Sequence, residues 1–135
     1  MAAHILANIA YRTDHGEEYV SSASIAVSVN TNAVFVRELL GKLREADLVT
    51  TKEGSSGGVR LSRRSNRISL KEIYLAVGER PPLTQNSRAE HKPCLVSCGI
   101  KSALKPTVKE VEQAVLDVLG RRSLSDIVKA IEKAA

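Results

Sequence analysis

Residues 48–64 read LVTTKEGSSGGVRLSRR, and this stretch limits the possible folds more than any other part of the chain. A run rich in β-branched residues stops at a five-residue tip, Gly54 to Gly58, built from glycine and serine alone. Behind the tip, alternation puts Val59 and Leu61 on one face and Arg60 on the other. Two such runs around a glycine-containing loop predict a β-hairpin.

The hairpin also gathers the charge. The chain has 135 residues and a net charge of +5. Residues 52–71 hold Lys52, Arg60, Arg63, Arg64, Arg67 and Lys71 against Glu53 alone, which leaves 14 basic and 14 acidic residues balanced elsewhere. A localised positive patch favours a polyanion as partner. The competing reading is a solvated surface with surplus arginine.

Helical spacing surrounds the hairpin. Ala3, Ile5, Leu6, Ile9 and Ala10 mark a helix over 2–13, which His15-Gly16 ends. Ser21-Ser22 can cap a short second helix, SASIAVSV. Asn30-Thr31-Asn32 interrupts it with three residues that prefer caps and turns. A longer helix follows, with Val36, Leu39, Leu40 and Leu43 as its inward stripe. Beyond the hairpin, LKEIYLAV is a helix ended by Gly78.

Residues 79–99, with Pro81-Pro82 and Pro93, predict an irregular connection. Leu104, Val108, Val111, Val115 and Val118 then recur at alternating intervals of four and three, the seam of a helix that packs along another helix. Thr107-x-x-Glu110 has capping-box form directly after Pro106, which predicts that this helix starts or bends there. A second box, Ser123-x-x-Asp126, opens a last short helix.

Composition excludes several functions. Phe35 is the only phenylalanine and tryptophan is absent, so the core must be aliphatic, and stacking on single-stranded bases is a poor candidate for the main activity. No run approaches the roughly 20 apolar residues of a membrane span. The opening AAHILANIAY is short and lacks a basic lead, so the expected compartment is the cytoplasm, without a membrane partner. Serine, histidine and aspartate occur without a nucleophile motif, no phosphate-binding loop is present, and His4 and His15 have no partner spacing, so no enzyme is expected.

The order of helix, short helix, polar turn, longer helix and basic hairpin is that of a winged helix-turn-helix. In that arrangement the second helix of the pair offers its leading end to base edges in the major groove. Asn30, Thr31 and Asn32 would stand there, with Arg37 further along. Asparagine can pair bidentately with adenine and arginine with guanine. A tip without bulky side chains can approach the sugar-phosphate backbone, while Lys52, Arg60 and Arg64 supply salt-dependent attraction.

The run from Ser24 to Val77 resembles the DNA-binding domain of the Rrf2 family of bacterial transcription regulators, through VFVRELLGKLREADLV, GSSGGVRLSR and ISLKEIYLAV. The family's wing, G-x-x-G-G-aromatic-x-L, is matched by Gly54, Gly57, Gly58, Val59 and Leu61. The resemblance implies DNA contacts at Thr31, Asn32, Val34 and Arg37 and at wing residues Ser55, Ser56 and Gly57, and it implies a long dimerisation helix. The sequence departs from the pattern at Glu53, where arginine is common before the first wing glycine, and at Arg37-Glu38, where some members have Glu and Gln. The operator of other members therefore does not transfer.

Some Rrf2 regulators hold an iron–sulfur cluster, commonly through three cysteines before the dimerisation helix. Here HKPCLVSCGI offers Cys94 and Cys98 with His91 close by, which leaves a cluster short of its usual four thiolates. The expectation is no cofactor. Cys94 and Cys98, four apart, can instead form a reversible thiol switch, against the simpler reading of two inert thiols.

The expected fold is mainly α: a winged helix-turn-helix with a two-stranded β wing and a C-terminal dimerisation helix. Residues 1–78 would form the DNA-binding domain, 79–99 a linker or sensor loop, and 100–135 the dimerisation helix with a short C-terminal helix. The expected function is a homodimeric repressor that binds a near-palindromic operator in double-stranded DNA and responds to thiol oxidation. An iron–sulfur or metal sensor and a winged protein-interaction module are the alternatives.

Overall fold

The structure is a computed structural model that describes residues 1–78, 83, 85 and 87–135. Its elements are α1 (Ala2–Asp14), α2 (Ser22–Ser28), α3 (Ala33–Glu45), β1 (Val49–Lys52), β2 (Gly58–Leu61), a single 3-10 turn (Ser65–Arg67), α4 (Leu70–Val77), α5 (Leu95–Gly120) and α6 (Leu124–Ala134). The helix–turn–helix and the hairpin thus occur in the expected order.

The first three helices end alike. Each chain leaves its helix through a residue with positive φ: Gly16, Asn30 and Asp47. At each exit the next N–H reaches back to the helix: Glu17 to the carbonyl of Arg12, Thr31 to that of Ala26, Leu48 to that of Leu43, all at 2.9–3.1 Å. This is the Schellman closure, which occupies carbonyls that the helix leaves unpaired. Asparagine and aspartate stand in for glycine at two of the exits because they tolerate the left-handed region best among side-chain-bearing residues. Leu43 and Leu48, both buried, supply the apolar contact that accompanies such an exit.

The core is aliphatic, as the composition requires. Ile5, Leu6 and Ile9 of α1 meet Ile25 of α2 and the full predicted stripe of α3, Val36, Leu39, Leu40 and Leu43. Val49 and Val59 bring the hairpin's inner face into full burial, while Arg60 stays exposed. The strands pair antiparallel with Val49 opposite Leu61 and Lys52 opposite Gly58. Val20 adds a third rung, exchanging two hydrogen bonds of 2.8 Å with Val59.

The C-terminal half departs from the sequence reading in two ways. The long helix begins at Leu95, not near Pro106: the side chain of Cys94 accepts the N–H of Ser97 and so caps it. Pro106 lies inside the helix, where it removes one N–H from the ladder, and the Thr107–Glu110 pattern opens nothing. The last helix is also not an adjunct of the long one. Leu124 and Val128 are buried in the core shared with α1, because α6 packs on α1. Its start is stitched to that of α4, with Leu70 N–H on the Arg122 carbonyl (2.9 Å) and Leu124 N–H on the Ile68 carbonyl (2.8 Å). Residues 79–82, 84 and 86 of the expected linker lie outside the described residues.

Candidate nucleic-acid interface

With one face of α3 buried, the other is fixed. Val34 is 69% exposed and Phe35 39%, while Arg37, Glu38, Lys42 and Arg44 also face outward. Asn32 caps the helix, its side-chain oxygen accepting the Phe35 N–H at 2.8 Å. The Asn32 amide therefore already serves the helix through one lone pair of its oxygen, while its second lone pair and its NH₂ are not used by that bond. Asn30 forms the turn with φ of 51°, and Thr31 beside it is half-buried.

In the wing, Ser55 and Ser56 stand exposed at the tip. Gly57 is required by closeness, since a Cβ there would sit 2.0 Å from the Lys52 carbonyl oxygen. Gly58 is required twice over, by φ of +149° and by the Val20 carbonyl, 2.5 Å from where its Cβ would be. The wing is therefore a strapped ribbon rather than a loose loop. Tyr19, which the sequence reading passed over, reinforces it. Its ring lies under two cations, Lys52 Nζ at 5.4 Å and Arg60 Cζ at 5.2 Å, and Glu18 stands 3.9 Å from Arg60.

These parts meet. Arg37, Gly41 and Arg44 of α3 form one wall of a cleft of about 440 Å³, and Lys52, Glu53 and Gly58 of the hairpin form the other. Two expected contact residues, Arg37 and Lys52, are thus brought together, and Arg44 joins them although its sequence position gave no motif to find it by. Arg60 and Arg64 line a separate cleft. Arg63, counted in the basic patch, is used internally: it donates to the carbonyls of Arg67 (3.0 Å) and Asp47 (2.9 Å) and pairs with Glu72.

Glu72 closes a capping box at the start of α4. The Ser69 N–H, first, and the Arg63 guanidinium hold its carboxyl below the ordinary value of 4.5. Asp126 does the same at the start of α6, with the Ser123 N–H lowering it. Of the two cysteines, Cys94 accepts from Ser97 N–H at 3.4 Å, and the Cys98 thiol points at the carbonyls of His91 (3.8 Å) and Lys92 (3.7 Å).

The family model for Rrf2, described as an iron-dependent transcriptional regulator, matches residues 1–130. YwnA of Bacillus subtilis (strain 168), named as a candidate HTH-type transcriptional regulator, is 35% identical over 128 residues, covering 95% of this chain and 92% of that one. Among solved structures, that of a candidate DNA-binding protein matches with a TM-score of 0.71 at 35% identity, over 93% of this chain and 94% of the other. CymR, the global cysteine regulator of B. subtilis, matches in fold with a TM-score of 0.69 at 24% identity, over 96% and 91%. The family and its curated relative are named as regulators of transcription, not as enzymes. No helix among the described residues is long and apolar enough to cross a membrane.

The iron in the family's description does not fit this donor set. Clusters are held by four thiolates or by mixed thiolate and imidazole sets. This chain supplies two thiols, one committed to capping α5 and the other turned towards backbone carbonyls, and no three His, Cys, Asp or Glu side chains among the described residues converge on a metal position.

Proposed function

The chain belongs to the Rrf2 family of transcription regulators, and from that premise we propose a homodimeric repressor that grips a near-palindromic duplex with α3 and the wing together. The observation that carries this reading is the cleft in which Arg37 and Arg44 of α3 face Lys52 and the glycine end of the wing. A recognition helix in the major groove places Arg37 at guanine edges and Val34 against thymine methyls, while the tip and Lys52 follow the backbone. A dimer clamped on a promoter in this way denies it to polymerase.

Dimer formation rests on α5. Its 26 residues include none that is buried, and Leu104 and Val118 lie exposed on the seam with half-buried Val108, Val111 and Val115 between them. Joining two such stripes would bury the seam and present two recognition helices with twofold symmetry. Cys94 and Cys98 stand one helical turn apart, the Cys98 N–H bonded to the Cys94 carbonyl at 3.1 Å. Joining them in a disulfide would withdraw the sulfur that caps α5, so oxidation acts on the dimer-forming helix.

Selection of bound sites from random duplex, with and without diamide, tests the reading. The expected result is a consensus with two half-sites about one helical turn apart whose recovery falls on oxidation. If duplex binding shows no salt dependence and no consensus, the winged unit is a protein-interaction module instead. If oxidation changes nothing, or Cys98→Ser leaves a response intact, the thiol switch is lost while the DNA reading stands.

A further inference from the structure

The cleft that holds Arg60 and Arg64 is not the one between α3 and the wing. It opens between the end of α1, the chain after β2, the 3-10 turn and α6, and measures about 530 Å³. Its cations are Arg60, Arg63, Arg64 and Lys129, against the single carboxylate of Asp14. Arg63 is held by its three internal acceptors. Arg64 and Lys129, by contrast, make no hydrogen bond or salt bridge among the described residues, although the Lys129 charge is felt by Asp126 on the same helix. Ser65, Asn66 and Ser125 add neutral hydrogen-bonding groups to the same wall.

We propose that this cleft binds the phosphate group of a small phosphorylated molecule and that its occupancy opposes DNA binding. Convergent cations, two of which make no hydrogen bond or salt bridge among the described residues, attract an anion, and guanidinium groups with neighbouring hydroxyls suit the several oxygens of a phosphate. The volume falls in the range of small-molecule sites, and the four cations that line it favour an anionic ligand over a neutral one. Lys129 and Ser125 come from α6, which takes no part in the cleft between α3 and the wing, so the site is addressed separately from the groove-facing surface. The regulatory half of the proposal rests on the reading of Arg60 and Arg64 as phosphate contacts for the duplex. An anion bound between them neutralises the charge that the duplex needs, and linkage makes the antagonism mutual.

Inorganic pyrophosphate is titrated calorimetrically into the full chain at ionic strength matched with sodium chloride. Binding at one site per chain is expected, weakened roughly tenfold or more in Lys129→Ala and tightened in Asp14→Asn, which removes the opposing charge. Without pyrophosphate, Lys129→Ala should bind duplex like the wild type; with it, wild-type duplex binding should fall while that of Lys129→Ala should not. Equal pyrophosphate affinity in wild type and Lys129→Ala, or no binding at all, overturns the site. Loss of duplex affinity and of salt dependence in Lys129→Ala also overturns it, because the cleft would then be part of the DNA surface. If pyrophosphate binds through Lys129 but the protein binds no duplex, the site is upheld and the DNA reading is what fails.

Discussion

Asn32 and Arg37 sit within two turns of each other on α3, yet their roles separate. The Asn32 oxygen is committed to the Phe35 N–H, so Asn32→Ala should cost about 1 kcal/mol of folding stability, whereas Asn32→Asp should retain the cap. Urea titration of the three proteins checks this; equal midpoints for Asn32→Ala and wild type would remove the capping role. Arg37 has no such internal duty among the described residues, and Arg37→Ala should cost about 1–3 kcal/mol on the preferred duplex while affecting random duplex little. Arg60→Ala should instead weaken both duplexes and reduce the salt slope by about 1. Gel shifts over a salt series distinguish them, and equal losses from Arg37→Ala on both duplexes would end its base-reading role. At this scale the sequence made the buried stripe of α3 legible, because helical spacing of apolar residues has one packing outcome. It could not show which polar atoms the fold had already used. Asn32 and Arg63 read as free groups until their acceptors and donors, one turn away or in another element, came into view.

Among the elements, the wing was legible and the long helix only partly so. Glycines at 54, 57 and 58 have few explanations in a hairpin, whereas the strap that holds it came from Tyr19 and Val20, some 40 residues earlier in the chain and marked by no local pattern. Gly58→Ala tests that strap. Its Cβ has no room beside Val20, so a loss of about 1–3 kcal/mol is expected, with weaker duplex binding as the wing shifts. An unchanged urea midpoint would mean that the strand separates from Val20 without cost. For α5 the sequence showed that a long helix was present but misplaced its start, because Pro106 and Thr107–Glu110 mimic a helix opening and a cysteine is an unusual cap. Val111→Glu with Val115→Glu should give a monomer in sedimentation while far-ultraviolet dichroism stays helical. A surviving dimer would place the interface elsewhere.

For the whole molecule, the N-terminal winged unit and the C-terminal helix are joined at a pair of carboxylate-closed helix starts. The starts of α4 and α6 hydrogen-bond to each other, and each is closed by a carboxylate, Glu72 or Asp126, that its serine's N–H holds below its ordinary value. This junction escaped the sequence reading in part: Ser123–Asp126 was recognised as a box, but nothing in the sequence announced that residue 122 would meet residue 70. The sign of the pH effect follows from the direction of the shifts. A carboxyl whose folded pKa is depressed binds more protons unfolded than folded over the intervening interval, so its stabilisation is complete above the ordinary value and disappears as pH falls through the folded one. For these two groups the window opens at their ordinary values of 4.5 and 3.8 and extends downward. The urea midpoint should therefore be flat from neutrality to about pH 5 and decline below it. Glu72→Gln with Asp126→Asn should flatten that decline, since amides can still accept the capping N–H but no longer titrate. Because α4 packs on α5, while α6 packs on α1 behind the helix-turn-helix, duplex affinity should fall over the same acid interval in the wild type and less in the double variant. An identical acid profile in both proteins would mean that other carboxylates govern the transition and that the junction is merely a place where two helices begin.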